Sequence, residues 1–312
     1  MSSTHATISR IPERLRARGA ALLVSEPFGR GDESAGRQML EAAVKYGIDL
    51  SNLWGSIEPG GSGVREACLL VPGAGRTVVV FMSCPPAEDP GRIGELSAVL
   101  DAALDNAPPE AAIAQSILDL DAIGPRKTLE GASFICAGTL GYLRRPPTPI
   151  ENPPSPDSGW PEGITVERVN PNDETDLGLA LERSYEQTLD CPELCGLRET
   201  KDIISSHRAT GVWDPTLWWL VRDGGKPVGA ALFNPSPAQR HSELVYMGLA
   251  PESRGRGVAS RLLDLGLHTT LSLSADPVIC AVDARNIPAQ KLYERAGFTE
   301  FERRVAYVRP IA

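Results

Sequence analysis

No run of roughly 18 apolar residues occurs in this 312-residue chain, so a membrane-crossing helix is excluded by length alone. The stretch from Met1 to Ala20 is polar and charged, without an apolar core segment. No secretory leader is therefore expected, and the expected compartment is the cytoplasm. There is no excess of positive charge: 31 Lys and Arg stand against 40 Asp and Glu, a net charge of −9. A nucleic-acid partner is not expected from such a balance, because phosphate backbones are bound by basic surfaces. Close cysteine pairs are also scarce. Of Cys68, Cys84, Cys136, Cys191, Cys195 and Cys280, only Cys191 and Cys195 are near neighbours, and no His stands at ligand spacing. They read as thiols, with no disulfide framework and no metal site.

What is present is a globular composition, 42% hydrophobic, over a length that allows two domains. Seven prolines between Arg145 and Pro161 cannot sit inside a helix or a sheet, so this segment reads as a stiff connector. The expected division is residues 1–145, a linker at 146–161, and a second domain at 162–312.

The most informative stretch runs from Glu243 to Ala259. An apolar strand leads into the loop Arg254-Gly255-Arg256-Gly257-Val258-Ala259, and a helix follows. The glycines leave the backbone uncrowded, and the helix start brings the positive end of its dipole. Free N–H groups, the dipole and two arginines make an anion site suited to a phosphate or pyrophosphate. Around it the second half reads β-α-α-β-β-β-α-β-α-β-β, with Gly224-Gly225 closing a hairpin and Gly297 stopping the helix that starts near Ile287.

This order and loop resemble the GNAT superfamily of acyl-CoA N-acyltransferases. Its loop pattern (Gln or Arg, two residues, Gly, one residue, Gly or Ala) is met by Arg254, Gly257 and Ala259. A second signature, Asn286, Ala289, Tyr293 and Gly297-Phe298, is also filled. The resemblance covers about residues 162–312. It implies an α/β (α+β) fold with a mixed, largely antiparallel twisted sheet flanked by helices and splayed central strands. It also implies acetyl-CoA as donor, with its pyrophosphate on the backbone of Arg254, Gly255, Arg256, Gly257, Val258 and Ala259. The pantetheine arm would lie along Met247, Gly248 and Leu249, with Gly248 sparing bulk beside the thioester and an N–H near Met247 or Gly248 facing the acyl oxygen. Asn286 either caps its helix or holds cofactor atoms. Tyr293 is the expected acid, the alternative being an ordinary packed tyrosine. Glu243, with His241 in reserve, is the candidate base, directly or through water; the alternative is a solvated strand end.

The segment between the first two helices of this half covers the acceptor in the family. Here it carries Glu186, Asp190 and Glu193, which either hold a cationic amine or are solvated. Trp218 and Trp219 alternate along a strand, so one belongs to a core and Trp219 is the candidate for the groove. The expected function is acetyl transfer to a primary amine of a small molecule or peptide in a ternary complex. The alternative is a non-catalytic acyl-CoA-binding module.

The first half carries a fainter copy. Phe81–Gly94 aligns on Tyr246–Ala259 at an offset of 165, and Leu129–Phe134 on Tyr293–Phe298 at 164. Near-equal offsets point to an internal duplication. Asp89 replaces Arg254, Arg92 replaces Gly257, Leu129 replaces Tyr293 and Val78 falls at Glu243. A carboxylate at the anion position repels the ligand, so this half is expected to be a non-catalytic GNAT-like domain. Size and tandem layout are similar to mycothiol synthase, another two-copy member. A paired chain can stand in for the dimer of single-copy relatives, so a monomer is expected.

Overall fold

A computed structural model describes residues 6–24 and 32–311. The first repeat runs β1 (Thr7–Arg10), α1 (Arg16–Val24), α2 (Glu33–Lys45), β2 (Leu53–Ile57), β3 (Val64–Gly73), β4 (Thr77–Met82), α3 (Pro90–Leu104), β5 (Ile113–Asp119), α4 (Ile123–Gly131), β6 (Ile135–Arg145). The second runs β7 (Ile164–Arg168), α5 (Thr175–Tyr185), α6 (Thr200–Ala209), β8 (Trp218–Asp223), β9 (Lys226–Ser236), β10 (His241–Leu249), α7 (Val258–Leu273), β11 (Val278–Asp283), α8 (Ile287–Arg295), β12 (Thr299–Pro310). The element order is the same twice. The apolar stretch Ala20–Val24 is the end of α1. The closing pair of strand pieces is one strand, β12.

The duplication extends to register. Thr77 pairs with Ile113 in the parallel ladder of β4 and β5, and Ser242 pairs with Val278 in that of β10 and β11. Both pairs of the β10–β11 ladder match pairs of the β4–β5 ladder at the offset of 165, and the third pair of the latter, Val79–Gln115, has no counterpart.

Two compact units are present, Met1–Ala137 with Val305–Ala312, and Gly138–Arg304. This division differs from breaks at 145 and 161. Most of β6 belongs to the second unit, where it pairs antiparallel with β11. The end of β12 belongs to the first, where Ile311 N–H donates to the Ala112 carbonyl. The proline-rich segment is also part of the second unit, where Ile150 and Trp160 pack on its core. Buried Arg145 donates to the carbonyls of Pro146, Thr148 and Ala296.

In the second unit the strand order is β6-β11-β10-β9-β8-β7. Gly224 and Gly225, at φ 54° and 81°, make the tight β8–β9 turn that most residues would resist. Both faces of the sheet are covered. One core holds Trp219, Phe233, Leu244, Leu262, Leu263 and Tyr293, and the other holds Leu177, Leu181, Ile204, Trp218 and Leu232. Trp218 and Trp219 are therefore both buried, at 1% and 2% exposure. Trp219 lies in a core under the Arg168 guanidinium, 3.3 Å from its ring centre, and does not line a groove. Period-two alternation could separate the two rings but could not show that helices cover both faces.

Candidate active site

The centre of the site is a strand pair that parts. β10 keeps its antiparallel ladder with β9 through Leu249, while its parallel ladder with β11 holds only Ser242–Val278 and Glu243–Ile279. From Leu244 onward β10 and β11 diverge. A bulge in β10 between Leu244 and Tyr246 accompanies the split. It also reverses the side-chain alternation. Leu244 packs in one core and Tyr246 in the other, although they are two residues apart. Glu243, opposite in sense to Leu244, thus shares a face with Tyr246.

The alternation also locates free backbone groups. Ala250 N–H donates to Val228, on the β9 side, so those of Gly248 and Tyr246 point the same way. Those of Met247 and Leu249 then face the gap. The Leu249 carbonyl accepts from Arg254 Nε at 2.9 Å. The N–H groups of Met247 and Leu249 are therefore the donors on the side of the divergence, Met247 lying nearer the point where the strands part, and that of Gly248 is turned away. Gly248 has a different role from the one expected. A Cβ there would overlap the Tyr246 hydroxyl, which itself bonds to the Ser184 hydroxyl. The glycine accommodates a tyrosine, and the side chain of Leu249 is in the core.

At the end of β10, Gly255 and Gly257 have φ of 72° and 79°, with Gly257 at the N-cap of α7. A Cβ at either would meet nothing within 4 Å, so glycine is required by conformation and not by crowding. No side chain caps α7. Among the described residues, the N–H groups of 255–260 have no hydrogen-bond partner within the chain, so a row of donors converges at a 16-residue helix start.

The two arginines of the loop are otherwise engaged. The Arg254 guanidinium donates to the carbonyls of Leu249, Ser184, Glu186 and Gln187. Arg256 pairs with Asp223 and donates to the Glu162 carbonyl at 2.7 Å. Both residues stay exposed, so Arg256 is partly solvated as the loop suggested, while their guanidinium groups are turned to acceptors of the chain. The cradle is made of backbone.

Tyr293 on α8 is 7% exposed, and among the described residues no hydrogen bond engages its hydroxyl. Burial pushes its pKa well up, reinforced by Cys280 on β11, Asp190 and Tyr246 on β10. Its ring belongs to the same core as Cys280 of β11, and the raised pKa keeps the phenol protonated, the form a proton donor needs. Glu243 is one-third exposed, and His241 Nε2 lies 3.2 Å from its Oε1.

The expected acceptor residues divide. Glu186 is exposed, and its carbonyl is held by Arg254. Glu193 is paired at two oxygens with Arg285, at 2.6 and 2.8 Å, and is not left free for a cationic amine. Asp190 accepts from Asn286 Nδ2 at 3.1 Å and from the Asp283 N–H at 3.3 Å. Asn286 Oδ1 caps α8 through the Ala289 N–H, so the capping half of its expectation is the one found. Asp283 is fully buried. Burial works against its charge, but hydrogen bonds from Arg285 and the Cys191 N–H outweigh it and hold its carboxyl low.

Sequence reasoning missed Asp283 and Arg285, whose partners lie some 90 residues away, and the pair Tyr246–Ser184, which depends on the bulge. It also missed His207 on α6. That ring lies 5.4 Å from Tyr246 with its Nε2 unpartnered, and burial pushes its pKa down to about 4. Among the described residues no cluster of His, Cys, Asp and Glu is placed to hold a metal ion, and no helix is long and apolar enough to cross a membrane.

The model of the Acetyltransferase (GNAT) family matches residues 183–298, from the end of α5 to just past α8. This part of the chain is a GNAT acetyltransferase domain. The GNAT domain is similar to curated proteins named mycothiol acetyltransferase. One from Streptomyces bingchenggensis is 29% identical over 169 residues, 54% of this chain and 53% of the relative. One from Corynebacterium aurimucosum is 47% identical over 57 residues, 18% of this chain and 19% of the relative. The chain spans about half the length of the curated relatives it matches, or less. Among solved structures, a GCN5-related N-acetyltransferase from Sphaerobacter thermophilus superposes with a TM-score of 0.55 at 21% identity. It covers 97% of this chain and 96% of its own, so the likeness in fold takes in both repeats.

Proposed function

We propose that the second repeat is an N-acetyltransferase that uses acetyl-CoA and a primary amine of a small molecule or peptide, with both held at once for direct attack. The observation that carries this is the divergence of β10 from β11 beyond Glu243, with the unpaired N–H groups of 255–260 at the end of the same strand. A slot with backbone donors along one wall and an anion cradle at one end fits a pyrophosphate carrying an amide-bearing arm. Coenzyme A, when bound, supplies an activated acyl carbon and a thiol leaving group.

The chain's own groups then have distinct tasks. The N–H groups of 255–260 bind the anion. The Met247 N–H faces the slot as a donor for developing negative charge. Tyr293 holds a proton at its hydroxyl for the departing sulfur. Glu243, assisted by His241, accepts the proton of the incoming ammonium, directly or through water. The first repeat is non-catalytic on this reading. Asp89 caps α3 itself, accepting the Arg92 N–H at 3.0 Å, and Ser116 Oγ crosses from β5 to the Val80 carbonyl at 3.0 Å. Arg92 is turned to the buried Glu66.

The test is a thiol-release screen of small amines and peptides, including the acceptor class that the relatives' name suggests, alongside calorimetry with coenzyme A. Saturable binding with amine-dependent thiol release is expected. Binding with no thiol release over the panel would favour a non-catalytic acyl-CoA-binding module, and no binding would overturn both.

A further inference from the structure

The segment between α5 and α6 is tied to both walls of the slot. On the β11 side, buried Asp283 accepts the Cys191 N–H at 3.0 Å, and Arg285 grips Glu193. On the β10 side, one side chain makes the connection. Arg254 Nε holds the last residue of β10 at the Leu249 carbonyl, while Nη1 and Nη2 reach the carbonyls of Gln187, Ser184 and Glu186 at 2.8–3.1 Å. Four of its five N–H donors are used, all on neutral carbonyls, three of them at or just past the C-terminal end of α5, where a guanidinium also complements the helix dipole. Gln187, one of the acceptors, sits at a φ of 52°, a conformation disfavoured without such outside support.

We infer that Arg254 is a positioning residue for the acceptor segment 186–196, and that it transmits the state of the cofactor loop to that segment instead of binding phosphate. The inference rests on the reading above for its kinetic consequences only. Its backbone begins the cradle, so any movement of residues 255–257 around an anion displaces the guanidinium that holds Ser184, Glu186 and Gln187. Acceptor and donor sites thereby share one side chain. A lysine can reach some of these carbonyls but cannot span all four, because its three donors radiate from a single atom.

The experiment is hydrogen exchange on the full chain with and without coenzyme A, for wild type, Arg254→Ala and Arg254→Lys. Arg254→Gln serves as a further variant if the alanine form does not fold. Amides of 186–196 are expected to exchange at least tenfold faster in Arg254→Ala, with part of the protection regained in Arg254→Lys. Coenzyme A affinity by calorimetry is expected to stay within about threefold. In turnover with the best amine of the screen, the amine KM is expected to rise about tenfold while that for acetyl-CoA holds. A tenfold loss of coenzyme A affinity with exchange of 186–196 unchanged would overturn the inference and make Arg254 a phosphate ligand. Unchanged exchange and unchanged affinity would overturn it as well. If wild type binds no coenzyme A, the functional reading fails, while the comparison of unliganded exchange still decides the clamp.

Discussion

Asp89 and Arg254 occupy equivalent positions in the two repeats and do opposite things. Asp89 turns back on its own helix and accepts the N–H of Arg92. Arg254 turns away and donates to carbonyls of α5 and of the residues after it. The first arrangement closes a helix start with an internal carboxylate, and the second leaves one open.

That contrast makes Gly257 the position to test. Gly257→Ala places a Cβ in open space at a φ of 79°, so the stability cost should be about 1–2 kcal/mol from backbone conformation alone. The strain also tends to turn the 257 and 258 N–H groups out of the row of donors. Coenzyme A affinity should fall at least tenfold, by calorimetry, while the melting temperature drops only a few degrees. Retained affinity would remove the cradle from residues 255–260.

Tyr293→Phe deletes a hydroxyl that makes no hydrogen bond among the described residues, so stability should hold. The rate of thiol release should drop about a hundredfold, within the range for loss of a general acid, with coenzyme A affinity unchanged. An unaltered rate would leave Tyr293 as core packing.

In the first unit, Glu66 is fully buried, bonded by Ser83 and paired with Arg92. Arg92→Met leaves that carboxylate without its cation and should cost about 3–5 kcal/mol near neutral pH. Burial pushes the Glu66 pKa up even with its partners, so the folded state takes up a proton before the unfolded one does. Stability contributed this way is present at low pH and lost as pH rises through the folded pKa. The deficit of the variant should therefore shrink on acidification, measured by urea melts at several pH values. A deficit independent of pH would assign the loss to packing.

His207 gives the opposite sign. Its folded pKa of about 4 lies below the ordinary 6.5, so between those values the unfolded chain binds a proton that the folded chain refuses. Stability should fall by about 1.4 kcal/mol for each pH unit descended in that window. His207→Phe should flatten this limb in chemical denaturation. An equally steep limb would place the acid sensitivity elsewhere.

Much of the architecture was legible because it is local. The Gly224-Gly225 turn, the Gly297 stop and the Asn286 cap each follow from conformation or hydrogen bonding within a few residues. The duplication was visible at Phe81–Gly94 and Leu129–Phe134, and the parallel ladders carry it into register. Less was legible in the direction of side chains. Arg254 and Arg256 were read as cradle residues from their place in the loop, yet a long guanidinium goes to whichever acceptors stand in reach. Those acceptors, on α5 and the β8–β9 hairpin, come from distant sequence.

The sequence by itself determined the repeat, the order of elements and an open helix start after β10, since these depend on periodicity, glycine conformation and short spacings. Only the tertiary structure decided which groups face the slot. The bulge after Leu244 reverses the alternation, so Tyr246 and Gly248 share the face of Glu243 and the Met247 N–H looks toward β11. It also made Arg254 a clamp and Asp190, Glu193 and Asn286 parts of a hydrogen-bonded network. Charges in a folded chain are spent on the nearest uncompensated partner, and that partner is set by packing.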